Sequence, residues 1–90
     1  MGMIEINLNI PVLDLQGNEI QGSNLGKILA NFLANCNKGD AFLLVDIAKK
    51  LIKNEPVEID ENTANQISQL VRLSDIANIA KVQILLEINK

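Results

Sequence analysis

LGKILANFLANCNKGDAFLLVDIAKKLI, residues 25–52, decides the fold. Leu25, Ile28, Leu29, Phe32, Leu33 and Cys36 recur at intervals of three and four, which is one apolar stripe of a helix over residues 25–36. Ser23 or Asn24 stands where a cap is needed. Asn37-Lys38-Gly39 interrupts the pattern, and Gly39 suits the left-handed conformation that closes a helix. Asp40 then caps a second helix over 41–53. Its main stripe is Leu44, Ile47, Ala48 and Leu51, widened by Phe42, Leu43 and Ile52. Lys49, Lys50 and Lys53 fall in the last turns, where cations complement the helix dipole. A connection of about three residues makes the two helices an antiparallel pair.

Toward the N-terminus the period changes to two. Ile4, Ile6, Leu8 and Ile10 alternate with Glu5, Asn7 and Asn9, the pattern of a half-buried strand that Pro11 ends or places at an edge. Residues 12–15 and Gln16-Gly17-Asn18-Glu19-Ile20 read as a strand, a tight turn and a return, so a β-hairpin is expected. An exposed edge of this kind can pair with another chain.

Toward the C-terminus, Asn54-Glu55-Pro56 stops the second helix and Val57-Glu58-Ile59 is extended, a third short strand beside the hairpin. Asp60 caps a third helix over 61–73, with Ala64, Ile67, Leu70 and Val71 turned inward. Ser74 or Asp75 caps a fourth over 75–88. The expected fold is therefore α+β and mostly helical. Residues 1–90 form one domain, with an N-terminal β-hairpin (3–21) packed on about four short helices (24–89).

The fourth helix is apolar nearly all round, and such a helix is buried on more than one side. A chain of 90 residues offers it one core. Either the other helices and the hairpin sandwich it, or its outer side meets a second copy or a partner. The second arrangement makes Ile76, Ile79, Val82, Leu85, Leu86 and Ile88 the expected interface.

Composition narrows the function. The chain has no His, Trp or Tyr, one Cys, one Arg and two Phe. Proton shuttles, thiolate nucleophiles and metal clusters draw on His and Cys. Base readers use Arg forks and aromatic platforms. An enzyme is not expected, nor a cofactor or a metal. Thirteen Ile and thirteen Leu make the core aliphatic. A domain this small gains only a few kcal/mol from its core, roughly 3–5 at most, and one Cys closes no internal disulfide. Self-association is the expected supplement. The net charge of −3 disfavours nucleic acid and anionic membranes. No apolar run reaches the roughly 18 residues of a bilayer span. A lone Cys and no secretory leader suggest the cytoplasm.

Individual motifs favour structural readings. Gly22-Ser23-Asn24-Leu25-Gly26-Lys27 is one residue short of a phosphate loop and lacks its Ser or Thr after the Lys. Asp14, Asn18 and Glu19 lack calcium-loop spacing. Asp60 is better used as a cap than as a ligand beside Glu61 and Asn62. Glu55 and Glu58 flank Pro56 in a solvated loop, and Cys36 belongs to an apolar stripe. Lys49, Lys53 and Arg72 are the candidate basic patch for a nucleic-acid-binding regulator, the second function class. A ligand-binding oligomer is the third. The fourth helix is too apolar for a recognition helix.

Several stretches together resemble small proteins of tailed phages and prophages. They are Asp14-Leu15-Gln16-Gly17-Asn18-Glu19-Ile20, Leu25-Gly26-Lys27-Ile28-Leu29-Ala30, Lys38-Gly39-Asp40, Ala48-Lys49-Lys50-Leu51, Glu55-Pro56-Val57-Glu58-Ile59-Asp60 and Lys81-Val82-Gln83-Ile84-Leu85. The resemblance implies a phage-type accessory protein, non-enzymatic and cytosolic in the infected bacterium. It would work by contact, as an assembly factor or an inhibitor of a host protein. It assigns no functional residue.

Overall fold

A computed structural model of the chain describes residues 3–89. The order is β1 (Ile4–Ile6), α1 (Leu25–Asn35), α2 (Ala41–Ile52), β2 (Val57–Ile59), α3 (Glu61–Arg72) and α4 (Asn78–Ile88). The fold is α+β and mostly helical, as the periodicities predict.

Each of the first three helices starts where a short polar side chain caps it. Asn24 Oδ1 accepts from the Lys27 amide at 2.9 Å. Asp40 accepts from the Phe42 and Leu43 amides, and Asp60 from the Thr63 amide at 2.7 Å. Gly39 precedes the second cap at φ +85°, a left-handed residue as expected. Asn54, after α2, is also left-handed, which the sequence did not signal. Leu25, Leu29 and Leu33 of α1 bury against Leu44, Ile47 and Leu51 of α2. The short connection folds these helices back on each other.

The sheet is two-stranded. β1 pairs antiparallel with β2, Ile4 opposite Ile59 and Ile6 opposite Val57. The alternation through Ile10 predicts a longer strand. Leu8 and Ile10 leave the ladder because their carbonyls accept the first amides of α1, Gly26 N–H to Leu8 and Leu25 N–H to Ile10, both at 2.9 Å. The hairpin that follows is compact. Leu13 and Glu19 form a single bridge, the Ile20 amide donates to the Val12 carbonyl, and Gly17 turns the tip at φ +86°.

α3 buries Ala64, Ile67 and Val71, with Leu70 half-buried. α4 begins at Asn78, three residues later than the sequence reading. Ser74 ends α3 instead of starting α4: its hydroxyl donates to the Val71 carbonyl at 2.6 Å and accepts from the Ile76 amide. Lys81 Nζ donates to the Arg72 and Ser74 carbonyls, satisfying the C-terminal end of α3. Among the described residues, no helix is long and apolar enough to cross a membrane.

Candidate functional site

α4 presents two different faces. Ala80, Ile84 and Ile88 form the inner one, buried in the chain's own core. Ile88, expected at the interface, is fully enclosed and belongs to the core instead. It lies four residues beyond Ile84, on the same helix row. Ile76, Ile79 and Leu85 are half-buried and pack on the core edge. Val82 and Leu86, one turn apart, face outward at 55% and 64% exposure.

The residues 12–20 extend this outer face. The Gln83 side-chain amide reads the main chain of Leu13 in both directions. Its Oε1 accepts from the Leu13 amide at 2.9 Å, and its Nε2 donates to the Leu13 carbonyl at 2.8 Å. This pair works like one rung of a β-ladder and ties the hairpin to α4. Asp14 shapes the tip: Oδ1 accepts from the Gln16 and Asn18 amides, each at 2.9 Å. The carboxylate oxygen is thereby engaged by main-chain donors in an Asx turn. With the loop so fixed, Leu15 projects at 95% exposure beside Ile79 and Val82, across a shallow groove also lined by Asn78 and Gln83. On the other side of Gln83, Leu13 and Leu86 share a groove of about 260 Å³ with Ile10 and Pro11. The exposed leucines of the hairpin were not among the expected site residues. Leu13 and Leu15 alternate with Asp14 as a half-buried strand would, so nothing in their pattern marks them as exposed.

Charge is confined to the rim of this face, at Asp14, Glu19 and Glu87. On α4 itself, Asn78, Ile79, Val82, Leu85 and Leu86 carry none.

The residues of the candidate basic patch line two different concavities. Lys49 and Lys53 border a groove between α1 and α2, whereas Arg72 borders a separate concavity with Asn65, Ser68, Gln69 and Asn89. In the stretch weighed as a phosphate loop, most main-chain donors are engaged within the protein. The Leu25, Gly26 and Lys27 amides are taken by Ile10, Leu8 and Asn24. Among the described residues, no three His, Cys, Asp or Glu side chains come together as a metal site would require. Cys36 is half-buried, its sulfur within 3.5 Å of the Lys38 carbonyl.

α2 departs from the expected stripe. Phe42, Leu43 and Ile52 do not join the core, and Phe42 is 91% exposed. Phe42 precedes Leu44 by two residues, about 200° around the helix, so burying one turns the other away.

No protein-family model, curated protein or solved structure matches this chain.

Proposed function

We propose that this protein is a non-enzymatic contact module, a phage-type accessory protein that self-associates through the outer face of α4 and the hairpin tip. The observation that supports this reading most is the juxtaposition of Val82 and Leu86 with Leu15 and Leu13, four exposed aliphatic side chains held together by the Gln83 clamp. Aliphatic side chains gain about 1.5–3 kcal/mol each on full burial, so leaving four in water is costly unless something covers them. A second copy is the fitting cover because the centre of the face is uncharged. Two molecules of net charge −3 repel, and they can meet in register only where like charges stay apart. The chain's cytoplasmic placement and its service as an assembly factor or host-protein inhibitor are part of the same proposal.

Sedimentation equilibrium tests it. The wild-type chain is expected to weigh more than its 9.9 kDa monomer at micromolar concentration, and Val82→Asp to sediment as the monomer with its helicity intact. Assembly unaffected by Val82→Asp would remove α4 from the contact.

A further inference from the structure

A second apolar surface lies away from α4, and its charge differs. Ala30 and Ala34 of α1 and Val45 and Ile52 of α2 line a groove of about 260 Å³, with Lys49 and Lys53 on its margin. Phe42 is one turn from Val45 and Asp46 on the same helix and is almost fully in solvent. It is one of only two aromatic side chains in the protein, and the other, Phe32, packs against the core. α1 contains no acidic residue at all. The single acid of α2, Asp46, is engaged by Lys50 at 3.6 Å, off the groove. Lys49 and Lys53 have no ion-pair partner among the described residues. A chain of net charge −3 thus carries a groove whose only charges are positive.

We propose that the α1–α2 groove binds an amphipathic helix with an acidic flank, supplied by a different protein. A concave apolar trough between two helices is the shape that receives the apolar face of a third. The two lysines, one turn apart, set the register of Asp or Glu residues on that helix and reject basic competitors. Another copy of this chain does not fit: two such grooves would oppose cation to cation, and the carboxylates around the outer face of α4, Asp14 and Glu19 of the hairpin and Glu87 of the helix, are scattered over its rim and not set in one helical row to meet Lys49 and Lys53. A flat anionic bilayer would meet the lysines and Phe42 but leave the trough between the helices unfilled.

This inference deepens the contact-module reading and rests on it, yet the groove shares no residue with the α4 face. Molecular mass and helix binding therefore fail independently. The test is a display selection against the full chain. The library holds amphipathic helices of about 18 residues, with apolar positions fixed and flanking positions drawn from Glu, Lys, Asn and Ser. Binders should be enriched in Glu on one flank. The best of them, as a synthetic peptide, should bind at least about ten-fold more weakly to a Lys49→Glu/Lys53→Glu variant, a loss of about 1.4 kcal/mol. Circular dichroism checks that this variant keeps its fold, and a Val45→Ser variant should weaken the same peptide without touching the lysines. Selection that returns no binder, no Glu enrichment, or binders indifferent to Lys49→Glu/Lys53→Glu overturns the proposal. So does co-sedimentation with phosphatidylserine vesicles, lost in that variant, when no peptide is selected.

Discussion

Gln83 holds both the amide and the carbonyl of Leu13, seventy residues away in sequence, through a single side-chain carboxamide. That contact converts an otherwise short hairpin, closed by one bridge, into a fixed extension of α4. Removing it separates loop placement from core stability. Gln83→Ala should cost about 1–2 kcal/mol in urea unfolding, the net worth of two solvent-accessible hydrogen bonds. Exchange of the Leu13 amide should quicken while that of Ile84 stays slow. Unchanged Leu13 protection would show that the loop is held by other means.

Gly26 sits where α1 meets the strand's exit. A methyl there would lie 3.2 Å from the Leu8 carbonyl oxygen and 3.1 Å from the Asn24 cap. Neither neighbour can yield freely, because Leu8 accepts the Gly26 amide and Asn24 accepts that of Lys27. Gly→Ala in an ordinary helix gains about 1 kcal/mol. Here the sign should reverse, with Gly26→Ala less stable than wild type by about 1 kcal/mol or more. A gain would mean that the segment before α1 adjusts easily.

Glu5 and Glu58 stand directly opposite each other in the two-stranded sheet, both exposed. Like charges across a strand pair oppose its formation. Replacing either one by Lys should stabilise the fold by about 0.2–1 kcal/mol, and less in high salt. The double exchange Glu5→Lys/Glu58→Lys should lose that gain. Equal stability of all four proteins would place the sheet outside the cooperative core.

Asp60 reports on α3. The Thr63 side chain, with the Thr63 amide, holds its carboxyl below the ordinary carboxylate range. A lowered folded-state value means a contribution that is present above the unfolded value and lost as the pH falls through the folded one. Against Asp60→Asn, the wild type should therefore be favoured at about pH 6, with the difference shrinking below about pH 4. Thermal melts across that range measure it. A difference independent of pH would mean that charge plays no part in the cap.

Local rules made most of the helical part readable. The caps at Asn24, Asp40 and Asp60 and the turn at Gly39 each follow from residue chemistry within three or four positions. The pairing of Ile4–Ile6 with Val57–Ile59 was legible as alternation in both segments. What escaped was whatever depends on a distant partner. Leu8 and Ile10 have the side-chain period of a strand, yet α1 claims their carbonyls. Phe42 and Ile52 look like core residues until the packing side of α2 is known. The apolar circumference of α4 located an outer face, but it could not separate Ile88, which turns inward, from Leu86, which does not. The lysine pair was legible, but that Arg72 lines a different concavity was a matter of tertiary structure.

The claim that Val82 and Leu86 are covered by a second copy is tested most directly by light scattering at tens of micromolar protein. The predicted mass is about twice the 9.9 kDa monomer for the wild type, and 9.9 kDa for Leu86→Glu with its helical signal unchanged. A wild-type mass of 9.9 kDa across that concentration range would contradict the account.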